Sequence, residues 1–355
     1  MTTITINPHQ YDCFIGLDVH SKSYSVTYKK HNSMKLKSFT TTSNPSKVTD
    51  YFKKHCPEDR LVFVYEAGPT GYALHDHLTK NNQRCIITHP GNVEKAAKDR
   101  VKTDRLDSVR LAESLSSGQI RGIRVPEDIY RQLRHLCSSR QQYAGSIRRA
   151  KQRIESMLLF ESISIPTPEQ SRWSRQHIQI LKELQLDHVR RVKLDSYLDD
   201  LEYAKHKLLF FHKQLREFYR DNPSIHYNIQ LLRGIPGFGF VVSAYFLSRI
   251  GNPEHLRSIR SIGSFSGVVP SEFSSGKKIR KGNITHMGDP VLRSLLIEAA
   301  WATIRKDKEL KQFFNRIKTK NRGDKGSRIA IVAVARKLTH RAHCVLKNKR
   351  PYIVL

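Results

Sequence analysis

At 355 residues the chain is longer than a single hydrophobic core usually sustains, so two or three domains are expected. Lys and Arg outnumber Asp and Glu by 62 to 32, a formal net charge of +30 and a pI near 10.1, which points to a polyanionic partner; with no long amphipathic basic helix, a lipid surface is the weaker choice. The 38% hydrophobic content excludes disorder as the default, and five scattered cysteines without a C-x-x-C pair exclude a zinc finger or a disulfide framework.

Met1 to Tyr11 lacks a basic-then-apolar signal pattern, and no apolar run approaches a membrane span, so the expectation is a cytoplasmic, nucleoid-associated protein with no membrane partner. Phe14–Val19 reads as a buried strand, followed by alternating Tyr24–Tyr28 and by Leu36–Thr42, three segments suited to an antiparallel meander. Leu61–Glu66 is a further strand, Gly71–Lys80 a helix and Cys85–Thr88 another strand, an order that resembles α/β chains with a mixed sheet.

After Pro126 the apolar spacing changes to steps of three and four, through Ile129, Leu133 and Leu136, then Tyr143, Ile147, Ala150, Ile154 and Met157. A break at Ile165–Pro168 separates this stripe from a second one, Leu201, Ala204, Leu208, Phe211, Leu215 and Phe218. Two long helices are expected over 126–222, paired either as an antiparallel coiled-coil arm that joins subunits or as a plain helical bundle. Asn222-Pro223 ends them, and a basic region, 223–355, follows.

Asp18 lies within the first strand, Glu66 ends the fourth, and Asp104 and Asp107 sit three apart on one face of an expected helix. Carboxylates drawn together repel unless protons or divalent cations compensate, and hard oxygen ligands in this number suit Mg²⁺ or Mn²⁺. Such a site serves phosphodiester chemistry, which matches the charge of the chain. The plainer reading of Asp104 and Asp107 is pairing with Lys102, Arg105 or Arg110.

Leu231–Gly239, followed by an apolar helix through Ile250, has the form of a helix-hairpin-helix, in which Gly237 and Gly239 let a phosphate approach a helix N-terminus; a tight turn between packed helices is the alternative. Further on, Gly267–Gly276 reads as a serine-bearing loop leading into Lys277, Lys278, Arg280 and Lys281, a setting that stabilises an alkoxide near a phosphate or is simply a solvated basic loop. Asp289-Pro290 starts a helix with Leu292, Leu295, Leu296 and Ala299 on its core face. The segment from Lys306 to Arg350 is dense in cations and suits a phosphate-tracking surface.

Taken jointly, Ile15–His20, Tyr65–Tyr72, Lys102–Asp107, Ile235–Gly239, and Gly282–Thr285 through Leu292-Arg293 to Glu298–Ala300 resemble the insertion-sequence 110/1111 family of transposases, related to DNA invertases of the Piv type. The resemblance spans nearly the whole chain. It implies a RuvC-like, ribonuclease-H-type mixed-sheet domain over residues 1–125, in which Asp18, Glu66, Asp104 and Asp107 bind Mg²⁺ with Mn²⁺ as the substitute. It also implies a helical C-terminal transposase domain whose serine before the glycine, here Ser275, forms a covalent phosphoserine link to cleaved DNA.

Further implied are DNA partners at element ends and target, a structured noncoding guide RNA made by the element, and a homo-oligomer, dimer or tetramer, in which one subunit's carboxylates meet another's serine. Two departures stand out: Ser108 follows Asp107 where the family often has Ala, and Ser274 immediately precedes Ser275, with Ser271 a weaker candidate nearby. The rival readings are a metal-only nuclease resembling Holliday-junction resolvases, without a covalent intermediate, and a binding protein whose acids are structural.

Overall fold

The computed structural model describes residues 4–92, 104–165, 171–256, 258–275, 278–285, 287–321 and 324–353, in two compact units, Met1–Pro126 and Glu127–Leu355. In the first unit β1 (Cys13–Val19), β2 (Ser23–Lys30) and β3 (Leu36–Thr42) form the expected antiparallel meander. Next come α1 (Pro45–His55), β4 (Leu61–Glu66), α2 (Ala73–Lys80), β5 (Arg84–Thr88), α3 (Asp104–Ser116) and the short β6 (Gly122–Ile123). The sheet order is β3-β2-β1-β4-β5-β6, with β1, β4 and β5 parallel and β6 antiparallel to β5, a mixed α/β arrangement consistent with the RuvC-like expectation.

Strand alternation gives the sheet two apolar faces. Ile15, Leu17, Phe63, Tyr65 and Ile87 pack with Val48 and Phe52 of α1 and Leu74 and Leu78 of α2. Phe14, Val62, Val64 and Ile86 pack with Leu111 and Leu115 of α3 on the other side. The spacing of apolar runs does not single out α1; its start is a cap, with Asn44 accepting from the Ser46 amide and Pro45 in the first turn.

The second unit opens with α4 (Asp128–Phe160), α5 (Arg175–Glu183) and α6 (His188–Asp221). Helices α4 and α6 run antiparallel, since Tyr143 stacks on Phe211, Arg153 bonds Asp200 and Arg190 bonds Glu161. Ala150, Ile154 and Met157 meet Leu194, Leu198 and Leu201 along the seam, and α5 inserts Leu181 into the same cluster. A two-stripe reading leaves α5 out, so the pair is part of a three-helix cluster.

Helices α7 (Pro223–Arg233), α8 (Phe240–Ile250), α9 (Ile259–Phe265), α10 (Pro290–Thr303), α11 (Lys308–Lys320) and α12 (Asp324–Asn348) follow. Their core holds Phe246, Leu296, Ala300 and Leu338, and it also takes in Leu133 of α4 and Leu215 of α6, so the long helices and the C-terminal region share one interior. The stretch expected as a serine loop is a hairpin instead: β7 (Pro270–Ser275) pairs antiparallel with β8 (Lys278–Ile284). The physical reason is that the backbone groups of the two strands pair along one ladder, from Ser275 opposite Lys278 to Pro270 opposite Ile284, which needs no apolar alternation in either strand.

Among the described residues no helix is long and apolar enough to cross a membrane. The cysteines are free thiols, as their spacing suggests.

Candidate active site

The first unit assembles its acids through strand register and one close helix contact. In the parallel pair β1/β4, Gly16 faces Val64 and Leu17 faces Tyr65, so one further step sets Asp18 beside Glu66 at the C-terminal ends of both strands. By alternation both belong to the sheet face that α3 covers. That helix sits directly on Gly16: a Cβ there would lie 2.3 Å from the Ser108 carbonyl oxygen, 2.5 Å from the Ala112 nitrogen and 2.9 Å from the Leu111 Cβ. Only glycine allows this approach, and it carries the first turn of α3, with Asp104 and Asp107, to the level of Asp18.

A buried polar chain fixes the helix in rotation. The Ser108 hydroxyl donates to the Arg105 carbonyl at 2.9 Å, which leaves it to accept from the Thr27 hydroxyl at 2.8 Å, and Thr27 in turn accepts from Ser38 at 2.8 Å. Ser108 therefore ties α3 to β2.

The nitrogen Nε2 of His20 lies 3.2 Å from Asp18 Oδ2 and 3.5 Å from Asp104 Oδ2, and these three ligand atoms lie within 4.8 Å of one another. Burial first, then the charges of Asp104 and Asp107, push the Asp18 carboxyl above its usual range, against the pull of His20. Asp107 accepts from Arg110 at 3.2 Å, one of the pairings weighed for it from sequence. Glu66 flanks Asp18 in the sheet without joining the three-atom group. His20 is the member that sequence reasoning missed: it stands two residues beyond Asp18 within a quoted motif, which is the same-face spacing of an extended chain.

Two carboxylate oxygens and an imidazole nitrogen at this separation are a donor set for a divalent cation. A second cluster, Cys13, Cys56 and Asp59, occupies the other end of β1. There Lys30 already pairs with Asp59 at 2.8 Å, and burial holds the Cys13 thiol far above its usual range, so this group is packed rather than poised.

In the second unit Ser275 is the last residue of β7, opposite Lys278, the first of β8; Arg280 and Lys281 lie further along β8, opposite Phe273 and Glu272. Lys277 lies outside the described residues. Ser271 donates to the Asn283 carbonyl at 3.0 Å, which commits its hydroxyl to the hairpin.

Gly237 and Gly239 divide their roles. At Gly237, φ is +88°, and a Cβ would meet the Ala299 carbonyl oxygen at 2.3 Å and the Thr303 hydroxyl at 2.4 Å, so its open space is taken by α10. Thr303 closes this contact by hydrogen bonding to the Pro236 carbonyl at 2.6 Å. Gly239 has nothing near its missing side chain and caps the N-terminus of α8 without a side-chain bond. Asp289 caps α10 as its Asp-Pro start suggests, accepting from the Val291 and Leu292 amides, and it also pairs with Arg249 at 2.6 Å.

Comparison with known proteins gives concordant matches. Residues 15–162 match a transposase model of the DEDD IS110 type, and residues 229–315 match the model of the IS116/IS110/IS902 transposase family. The chain is 25% identical over 344 residues to the transposase of insertion sequence element IS1533 from Leptospira borgpetersenii, covering 95% of this chain and 96% of that one. It is 21% identical to the pilin gene-inverting protein of Moraxella bovis, covering 96% and 97%. A transposase from Sinorhizobium fredii, 26% identical over 246 residues, is longer, and the match covers 58% of it.

Proposed function

As the chain belongs to the IS110/IS1111 family of DNA transposases, we propose that it cleaves and exchanges DNA strands through a phosphoserine intermediate, with the acid cluster of the first unit and Ser275 of the second as its chemical groups. The observation that carries this reading is the convergence of Asp18 and Asp104, distant in the chain, on His20 Nε2. Asp18, Asp104 and His20 would hold a divalent ion, with Asp107 and Glu66 contributing negative charge beside it. An ion held there would supply positive charge to neutralise the scissile phosphate. Mg²⁺ suits the carboxylates, and the imidazole makes Mn²⁺ at least as good a fit.

The chain's own part is attack and storage. The Oγ of Ser275 forms a bond to phosphorus as the bond from phosphorus to the 3′ oxygen breaks, and the proton given up by serine ends on the 3′-hydroxyl. The ester retains the energy of the broken linkage, so rejoining needs no external source. Lys277, Lys278, Arg280 and Lys281 would hold the backbone around the hairpin, and Gly239 would offer the α8 amides to a phosphate, with Gly237 setting the turn.

The net charge of +30 supports DNA at element ends and target together with a structured guide RNA from the same element. A homo-oligomer, dimer or tetramer, in which one subunit's acids serve another's serine, completes the proposal. The pilin gene-inverting relative, whose name describes recombination, favours strand exchange over simple cleavage.

The test is covalent capture. Wild-type protein with element-end DNA, its guide RNA and Mn²⁺ should give a protein-DNA adduct on denaturing gels. The Ser275→Ala and Asp18→Asn variants should give none, and Ser274→Ala should retain it. Adduct from Ser275→Ala defeats the assignment, and cleavage with no adduct from any form supports the metal-only nuclease instead.

A further inference from the structure

We infer that the outer side of α4, together with Arg249 of α8, forms a groove that holds a polynucleotide backbone; this assigns a surface to the proposed nucleic-acid function and rests on it. Between Asp128 and Glu155 the helix carries Arg131, Arg134, Arg140, Arg148, Arg149, Lys151 and Arg153 with no acid among them; Arg131 pairs with Asp128 and Arg153 with Asp200, while Arg148 and Arg149 have no carboxylate partner among the described residues. A helix face that is merely solvated intersperses both signs, as α6 does with Arg190, Arg191, Asp195, Asp199, Asp200 and Glu202. A single sign sustained over so many turns costs self-repulsion and is matched by a polyanion.

Part of this charge faces a defined concavity. Gln141, Gln142, Gly145, Arg148 and Arg149 recur at three- and four-residue steps and so share one side of α4; with Arg249 they line a groove of about 430 Å³. No carboxylate is among the residues lining it. Arg148 and Arg149 are exposed, so their charge is open to a ligand.

Arg249 is held from behind, paired with Asp289 at 2.6 Å, donating through Nη2 to the Tyr245 hydroxyl at 2.9 Å, and lying over the Tyr245 ring. A guanidinium fixed in this way still has N–H groups to offer, and its orientation costs little on binding. Guanidinium forks suit phosphate oxygens bidentately, and glutamine amides beside them donate to phosphate or sugar. The chemistry recognised is the phosphodiester chain that DNA and RNA share.

Fluorescence anisotropy of the full chain with a labelled DNA duplex and with a labelled RNA hairpin, across a salt series, tests the groove and separates the two sources. The Arg148→Ala/Arg149→Ala variant should bind the probe held there about tenfold more weakly or worse, with the slope of log affinity against log salt smaller by about two. Arg148→Lys/Arg149→Lys should retain the slope. Lys53→Ala/Lys54→Ala, which removes equal charge from exposed positions on α1, should change affinity far less. If wild-type protein binds neither probe, the nucleic-acid reading itself fails. If it binds and the arginine pair can be removed without effect on either probe, or the lysine pair costs as much, or poly-glutamate displaces both probes as well as unlabelled nucleic acid does, the groove assignment alone is overturned.

Discussion

Replacing Gly16 by alanine tests how the acid cluster is built, because it changes no charge and touches no candidate ligand. The added Cβ would stand 2.3 Å from the Ser108 carbonyl oxygen and 2.5 Å from the Ala112 nitrogen, against ordinary carbon-to-oxygen contacts of about 3.3 Å, so α3 must retreat by about 1 Å. A retreat of that size stretches the 2.8 Å bond between Thr27 and Ser108 past useful length and draws Asp104 away from His20. Overpacking of this kind costs about 1–3 kcal/mol, and the buried hydroxyl bond about 1 kcal/mol more. The expected outcome is a first unfolding transition in urea destabilised by about 2–4 kcal/mol, with strand cleavage at saturating substrate falling about a hundredfold, as for a misplacement of this scale. Wild-type stability together with wild-type cleavage in Gly16→Ala would refute the claim that the close packing of α3 on β1 sets the site.

Three further outcomes follow from particular contacts. Because the Asp18 carboxyl sits above its usual range, the folded state holds its proton at pH values where the unfolded chain has released it, so this residue lowers stability as pH rises through that window. Metal-free Asp18→Asn should therefore be at least as stable as wild type at neutral pH and flatter in acid, and Mn²⁺ should raise the melting temperature of wild type alone; equal stabilisation of the variant counts against cation binding at Asp18. Ser108→Ala should lower stability by about 1 kcal/mol in urea, since buried Thr27 loses its acceptor, and an unchanged midpoint would show that the bond contributes nothing. Arg341→Ala should cost about 3 kcal/mol by stranding Asp307, which is buried and otherwise bonded to the Leu310 amide and the Tyr352 hydroxyl. Burial works to raise the Asp307 carboxyl, but these partners outweigh it and hold it below its usual range; the penalty should shrink as pH falls through that lowered value, and a penalty independent of pH would exclude the ion pair as its source.

Sequence alone was sufficient wherever the signal is local. Alternation and apolar runs set out β1 to β5 to within a few residues, because burying one side of a pleated strand imposes a two-residue period whatever the strand pairs with. The same locality made the cap at Asp289-Pro290 and the stripes of α4 and α6 readable. Asp18 could be placed in a strand and Glu66 at a strand end for this reason; α5 could not be read, since it depends on α4 and α6, and the hairpin at Ser275 could not because its Ser-, Lys- and Arg-rich strands lack an apolar alternation.

What the tertiary structure decided is which distant groups meet. Nothing near Gly16 in the chain says that α3 will rest on it, nothing near His20 says that Asp104 will join Asp18 beside it, and Gly237, suited by composition to a phosphate, gives its space to the Ala299 carbonyl and Thr303. A pattern along the chain records how each residue meets solvent or core. The distances that make a metal site or a packed turn arise only when separate elements close on one another, and there a missing Cβ or a single hydroxyl sets the approach.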